Sequence, residues 1–492
     1  MNEKLRQMAV KNGMNDKFKE QRKIVVDLDG TLIQTDMLIE NLFAFLRLYP
    51  LRVFLLFIWL LRGKAYFKKC LATAVVPDVG FLPYNKDLLS WLELQKQNGA
   101  ILILATASNI EIAQRIASHL KIFDEILGTE DVNLASSYKS ELLNSKYGIS
   151  GYEYVGNSMA DIAVWKTASN IHVVNPERGV LLAVKKLGEV DQLFESRPAY
   201  FPSLLKTMRI HQWVKNILLF VPLLASHRIL DIHLIINGVI AFIAFGLCAS
   251  SVYLLNDLFD LPEDRQHPTK SNRPLTAGMF PIIHALGYMA GLFIVAFLIA
   301  FLLLPLQFFF VLFGYYALTL TYSLYLKRIV MLDVVALAML YTIRVIAGAA
   351  AMGLIVTFWI LAFCVFIFLS LAFVKRYTEL NDARIKGKLT QVSGRGYMPD
   401  DFELLASLGG SSGYISALVL ALYINDTSAL NLYQSPKWMW VACPLLLFWL
   451  SRVWLLAHRG QMHDDPIVFA LRDGVSRWIG LGFVAVFVLA TF

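Results

Sequence analysis

Charge is scarce in this chain. Only 17% of its 492 residues are Asp, Glu, Lys or Arg, against 57% hydrophobic, and the mean hydropathy is +0.56. A wholly soluble protein of this length is thereby excluded, and several membrane spans are implied. Cysteine is rarer still. Cys70, Cys248, Cys364 and Cys443 are scattered, three of them inside apolar runs, with no spacing that suits a disulfide framework or a cysteine-ligated metal. The segment from Met1 to Lys23 is polar and has no apolar core of a secretory signal, so the first domain is expected to stay in the cytoplasm. Low-complexity tracts are absent. The net charge of +8 does not point to nucleic acid, because the basic residues gather in loops between apolar runs, as membrane topology requires.

The character of the chain changes near Ser196-Arg197-Pro198. Before it the pattern is soluble α/β; after it, apolar runs follow one another. The reading is an N-terminal extension (1–22), an α/β domain (23–195) and an all-α polytopic membrane domain (196–492). About nine spans are predicted, near 212–227, 233–255, 280–303, 306–324, 333–352, 357–374, 403–424, 438–457 and 475–492. Loops after the even-numbered spans are charged, and the others are poor in Lys and Arg. The charged loops and the N-terminal domain therefore belong on the cytoplasmic side of a plasma membrane, with the C-terminus outside.

In the first domain, Lys23-Ile24-Val25-Val26-Asp27-Leu28-Asp29-Gly30-Thr31 reads as a buried strand running into a tight turn. Strands at 101–105 and 152–155 end in Thr106-Ala107-Ser108 and in Gly156-Asn157-Ser158-Met159-Ala160-Asp161. Lys139 heads a helix between them. In an open parallel sheet such strand ends form the ligand site. Over residues 22–175 this order resembles the haloacid dehalogenase (HAD) superfamily. The resemblance implies a Rossmann-like fold with Asp27 as nucleophile and Asp29 as general acid/base. Thr106 and Lys139 would hold the phosphoryl group. Asp27, Asp29 (through its carbonyl), Asn157 and Asp161 would hold Mg2+. Asn157 departs from the usual Asp. Residues 37–85 are the expected helical cap, and its apolar stretch 53–61 is too short to span a bilayer but suited to lie on one.

In the second domain, Asn256-Asp257-Leu258-Phe259-Asp260-Leu261-Pro262-Glu263-Asp264-Arg265 follows a long apolar run. Carboxylates three and four apart share a helix face, so Asp257, Asp260 and Asp264 are expected to point together and hold Mg2+ on a diphosphate. Arg265, His267, Lys270 and Arg273 supply cations for phosphate oxygens. The motif resembles the first aspartate motif of the UbiA superfamily of intramembrane prenyltransferases, over residues 203–492. Further runs around Lys327, Arg328 and Asp333, around Arg344, and around Lys375, Arg376 and Glu379 resemble its polyprenyl-phosphate phosphoribosyltransferase branch. The resemblance implies phosphoribosyl diphosphate as donor and a decaprenyl-like phosphate as acceptor, with Asn256 and these residues binding substrate. Arg395-Gly396-Tyr397 and Asp464-Asp465-Pro466 are weaker signals, a loop-ordering segment and a turn.

Together the halves describe a bifunctional enzyme. The membrane domain would make a polyprenyl-phosphoryl-5-phosphoribose, and the HAD domain would remove its 5-phosphate to leave a ribosyl donor for cell-envelope glycans. Two competitors stay open. One is an aromatic prenyltransferase with an accessory phosphatase. The other is a lipid carrier with a regulatory pseudo-phosphatase. Chain length of the lipid and a homo-oligomeric state are left open as well.

Overall fold

The computed structural model describes residues 21–75, 78–130, 133–134, 136–267, 269–385, 396–426, 433–462 and 465–491. The N-terminal extension falls almost wholly outside them, as do Arg395 and Asp464. The chain forms two compact units. One comprises the residues up to Thr207 together with Leu254–Gly287; the other comprises Met208–Tyr253 and Tyr288–Phe492.

The first unit is built on six parallel strands: β1 (Lys23–Val26), β2 (Ile101–Asn109), β3 (Glu125–Thr129), β4 (Glu153–Gly156), β5 (Ile171–Val174) and β6 (Gln192–Phe194). Their order is β3-β2-β1-β4-β5-β6. The direction of winding reverses at β1, which pairs with β2 on one side and β4 on the other. Alternate residues of β1 serve opposite faces. Ile24 and Val26 pack with Leu102, Leu104, Leu88 and Ile116 on one side. Val25 joins Ile103, Leu143, Tyr154 and Trp165 on the other. Both faces are thus covered, which is why the strand reads as a continuous apolar run. β2 runs on to Asn109, with an irregularity in its pairing between Ala105 and Asn109. The cap consists of helices Met37–Leu48, Val53–Leu61 and Lys64–Ala74. Asp36 caps the first, accepting from the Ile39 N–H at 3.0 Å.

The second unit is helical. Among the described residues eight helices are long and apolar enough to cross a membrane, the first being Ile232–Phe259 and the last Gly474–Thr491. The expected first span is different. Ile210–Phe220 is a 3-10 helix continued by the short α-helix Val221–Ala225, and the two together are too short to be counted with the eight. Lys215 and Asn216 are buried within it. Leu332–Met352 is the most enclosed of the long helices. Gly348 lets the backbone of Leu219 approach so closely that a Cβ would lie 1.9 Å from its carbonyl oxygen.

Candidate active sites

The carboxyl ends of β1, β2 and β4 carry the first site. The Asp27 carboxylate accepts from Lys139 Nζ at 2.6 Å. Lys139 also donates to Tyr154 Oη at 3.0 Å, and Tyr154 donates to Asp161 at 2.7 Å. Asp161 accepts from the Asn157 and Ser158 backbone N–H groups at 3.1 and 2.9 Å, which fixes the turn after β4. Asp29 accepts from the Ser108 hydroxyl at 2.6 Å and from the Met37 N–H at 2.9 Å. Thr106 is fully buried, and its hydroxyl accepts from the Ser108 N–H at 2.9 Å. Gly30, at φ +74°, makes room for Asn157, whose amide nitrogen would stand 2.2 Å from a Cβ there. The sequence-expected residues Asp27, Asp29, Thr106, Lys139, Asn157 and Asp161 all stand at this end of the sheet.

Their electrostatics differ. Burial pushes Asp27 up to about 6, despite the opposing charge of Lys139. Burial, together with the charge of Asp36, pushes Asp29 further, to about 7. Burial would pull the Lys139 ammonium down, but Asp27 and Asp161 outweigh it and hold it above its ordinary value. Both carboxyls are therefore held above the ordinary carboxylate range by burial, with only Asp27 paired to a lysine.

The cap adds Lys68, which sequence reasoning missed. Its ammonium donates to the Ala107 carbonyl at 2.6 Å and to Asn133 at 2.8 Å. Burial holds its ammonium below the ordinary lysine value, against the opposing charges of Asp29 and Asp36. Asp36 was missed as well; it precedes a helix and reads from sequence as a cap only.

The aspartate motif does not share one helix face. The helix ends at Phe259, and Asp260 stands at the N-terminal boundary of a new short helix, Leu261–Gln266, without a side-chain capping bond and with Pro262 in its first turn. Proline is tolerated there and not in a helix interior, which is the physical reason for the break. Asp257 and Asp264 converge on Arg273, at 3.1 and 2.5 Å, and Lys270 lies 3.3 Å from Asp264. Asp260 turns instead toward Arg47 of the cap, at 3.9 Å. Arg265 does not face this group. Its guanidinium donates to both oxygens of Glu40, at 2.7 and 2.5 Å, on helix Met37–Leu48. Arg47 pairs with Glu263 and donates to the Phe259 carbonyl at 3.2 Å. His267 is exposed beside Thr269.

The second unit holds two further polar clusters and a buried arginine bordering the second of them. Arg376, buried, pairs with Asp333 and donates to Glu379 at 2.7 Å and to Tyr322 Oη at 2.9 Å. The Tyr397 hydroxyl donates to Asp333 at 2.5 Å and accepts from the Met331 N–H at 2.9 Å. Asp465 receives Lys215 at 2.8 Å, Lys375 at 3.5 Å and the Tyr341 hydroxyl at 2.8 Å. Burial would raise Asp465, but the charges of Lys215 and Lys375 hold it well below the usual carboxylate range. Arg344 is enclosed by the rings of Phe245, Tyr315 and Tyr341 and donates to Asn216 at 3.3 Å. It does not meet Asp333. Lys327 and Arg328 lie in a short 3-10 turn, with Arg328 exposed. Sequence reasoning took Asp465 for a turn residue and overlooked Lys215, Tyr341 and Tyr322. The Asp-Pro pair at 465–466 is a helix N-cap, and that was the available signal.

No group of three or more His, Cys, Asp or Glu side chains among the described residues is arranged to hold a metal. Cations of the chain already sit on the carboxylates. The donors themselves suit a hard cation, since both acidic motifs offer oxygen only. Two buried oxygens, Thr31 Oγ1 beside the first motif and Asn256 Oδ1 beside the second, have no hydrogen-bond partner among the described residues. Both motifs therefore offer the donor type that a hard divalent cation takes.

Residues 217–480 match the UbiA prenyltransferase family. The chain belongs to that family. It is 36% identical over 479 residues to the uncharacterized protein y4nM of Sinorhizobium fredii, an alignment covering 96% of this chain and 92% of that one. It is 30% identical over 289 residues to the decaprenyl-phosphate phosphoribosyltransferase of Mycolicibacterium smegmatis, covering 56% of this chain and 90% of that one. Among solved structures, a HAD family hydrolase of Salmonella enterica serovar Typhi superposes on 35% of this chain and 66% of its own, at 12% identity and a TM-score of 0.26. The chain is thus a member of the UbiA prenyltransferase family, similar over its helical part to decaprenyl-phosphate phosphoribosyltransferases, with a parallel α/β part before it. The alignment with the Sinorhizobium protein runs through both parts.

Proposed function

We propose that the protein is a bifunctional membrane enzyme that makes a polyprenyl-phosphoryl-ribose. In the first step an oxygen of a polyprenyl phosphate attacks the anomeric carbon of phosphoribosyl diphosphate. The carbon–oxygen bond to diphosphate breaks, and diphosphate leaves with the bonding pair. The acceptor is already an anion, so no strong base is needed. Asn256, Asp257 and Asp264 would hold Mg2+, which when bound neutralises the diphosphate. Arg273 and Lys270 then turn from the carboxylates to phosphate oxygens. Lys215, Lys375 and Asp465 form a charged cluster suited to a second anionic group. Arg376, Asp333 and Glu379 satisfy one another and act by holding their helices.

In the second step the Asp27 carboxylate attacks the 5-phosphate of the product. The phosphorus–oxygen bond to ribose breaks, and Asp29 gives its proton to the leaving oxygen. Water, its proton taken by Asp29, then hydrolyses the aspartyl-phosphate. Lys139 and Thr106 hold the phosphoryl oxygens, and Mg2+ would be held by Asp27, the Asp29 carbonyl, Asn157 and Asp161. The Ser108 hydroxyl and the Met37 N–H, which fix the Asp29 carboxyl at the strand end, support its part as acid.

One observation carries the pairing of activities. Helix Met37–Leu48 presents its first backbone N–H to Asp29, while its Glu40 and Arg47 grip the segment of the aspartate motif. Residues 23–195 are assigned to the phosphatase and 196–492 to the transferase, with Leu254–Gly287 folded against the former. The charged loops and both activities are placed on the cytoplasmic side of the plasma membrane.

The test supplies radiolabelled phosphoribosyl diphosphate and polyprenyl phosphate to the purified chain. Labelled lipid is expected, and its absence overturns the transferase assignment. Asp27→Asn should accumulate the 5-phosphorylated lipid; an unchanged product overturns the phosphatase assignment. Turnover of a prenyl diphosphate with hydroxybenzoate would favour the aromatic reading instead.

A further inference from the structure

Helix Val53–Leu61 of the cap, Val-Phe-Leu-Leu-Phe-Ile-Trp-Leu-Leu, has no charged side chain. Leu55, Leu56 and Trp59 turn inward against Phe45, Leu71 and Val75. The opposite surface does not. Leu51, Phe54, Phe57, Ile58, Leu60 and Leu61 are exposed, Phe57 at 67% and Leu61 at 88%. A contiguous apolar surface of this kind marks an interaction site.

The surrounding charge identifies the partner. Between Glu40 and Asp78 the chain has no acidic residue, but it has Arg47, Arg52, Arg62, Lys64, Lys68 and Lys69. Arg52 and Arg62 bracket the helix and lie over the rings of Tyr49 and Tyr66, at 5.0 and 5.3 Å. Apolar side chains framed by arginine, lysine and tyrosine match an anionic lipid surface. Location agrees. Arg47, at the end of the preceding helix, bonds the carbonyl of Phe259, the last residue of a helix long enough to cross the bilayer. The chain then bends by 114° into the apolar helix. At 1.5 Å per residue, nine residues reach only about 14 Å, too little to cross a hydrocarbon core of about 30 Å.

We propose that Val53–Leu61 is an interfacial anchor, lying in the headgroup–acyl boundary of an anionic leaflet with Phe54, Phe57 and Leu61 in lipid. The next helix, Lys64–Ala74, carries Lys68 to the Ala107 carbonyl at the end of β2. The anchor thereby holds the mouth of the phosphatase at the membrane surface, where a lipid-borne phosphate arrives; this consequence rests on the phosphatase reading, whereas the anchor itself does not.

The test uses the full chain in vesicles of zwitterionic and anionic phospholipid. In a Cys70→Ser background, whose other three cysteines are buried, Phe57→Cys and Ile149→Cys are each labelled with an environment-sensitive fluorophore. Ile149, 74% exposed, is the water-facing control. Spin-labelled phospholipid should quench the Phe57 probe at least about threefold more than the Ile149 probe, with iodide showing the reverse order. Iodide quenching of Phe57 equal to that of Ile149 overturns the proposal. Protection of Phe57 from both quenchers overturns it too, and assigns the surface to a second copy of the chain. A second arm compares F54S/F57S/L61S with the parent. Hydrolysis of p-nitrophenyl phosphate should be unchanged, while release of phosphate from vesicle-borne lipid phosphoribose should fall about tenfold. If the quenching result holds and both substrates are hydrolysed as before, the anchor stands and its link to the phosphatase fails.

Discussion

Glu40→Ala should loosen the aspartate motif without touching it. Glu40 and Arg265 side chains are 9% and 6% exposed, and two charge-assisted hydrogen bonds of 2.7 and 2.5 Å join them. Removing one partner of a buried pair costs about 3–5 kcal/mol, because the other charge is left without a counter-ion. The lower figure applies here. Arg265 keeps a bond to the Thr276 carbonyl at 3.3 Å, and its segment can relax toward water. About 3 kcal/mol is about a hundredfold in the equilibrium for local opening. Amide hydrogen exchange of the full chain reads this directly. Amides of 261–267 and 269–278 should exchange about a hundredfold faster in Glu40→Ala, and nearly as fast in Arg265→Ala. The double variant E40A/R265A should be little worse than either alone, since the pair is lost once. Single effects that add to within about 0.5 kcal/mol would refute the reasoning, because independent residues add and paired ones do not. Transferase turnover should fall in all three variants, since the segment carries Asp264.

Three other outcomes are expected. Gly30→Ala places a Cβ 2.2 Å from the Asn157 amide at φ +74°, so strain of about 1–3 kcal/mol should displace Asn157; phosphate release should fall while formation of labelled lipid is spared. Asp333→Ala leaves the buried Arg376 with the partly exposed Glu379 as its carboxylate and should cost about 3 kcal/mol, the low end for a broken buried pair, in unfolding of the detergent-solubilised chain, whereas D333A/R376M should recover most of it. Glu153 accepts from Arg22 at 2.7 Å and contacts His172 at 2.9 Å; burial would raise it, but these partners hold it at about 2. Its folded value is depressed, so its stabilisation is complete above the ordinary carboxylate value of about 4.3 and is lost as pH falls from there toward 2. With Arg22 open to solvent the effect should be about 2 kcal/mol, and Glu153→Gln should remove that part of the acid sensitivity of amide exchange in β4.

The carboxylate-bearing end of the parallel sheet was readable because its geometry is local. A run of β-branched residues fixes the strand, the pleat places Asp27 at its end, and glycine at 30 permits the turn; each step depends on near neighbours in the chain. The membrane helices were readable for a related reason, since length and apolarity are additive along a segment. The segment 212–227 misled because its apolar residues met the composition test while Lys215 and Asn216 were held inside by distant partners. The helical spacing of Asp257, Asp260 and Asp264 is broken because Pro262 starts a new helix at Leu261, so periodicity does not carry across it.

Composition, motif order and the positions of the acidic residues were therefore determined by the sequence alone: an α/β part with a paired-carboxylate site, then a bundle of apolar helices with an aspartate motif. The partner of each charge was decided only by the fold. Arg265, read as a phosphate ligand, is taken by Glu40 from 225 positions away, and Asp465, read as a turn, gathers Lys215 from 250 positions away. A guanidinium or a carboxylate has the same reach whichever partner it finds. Sequence spacing says nothing about which of many oxygens the tertiary structure will bring within 3 Å, and burial then makes that one choice costly to undo.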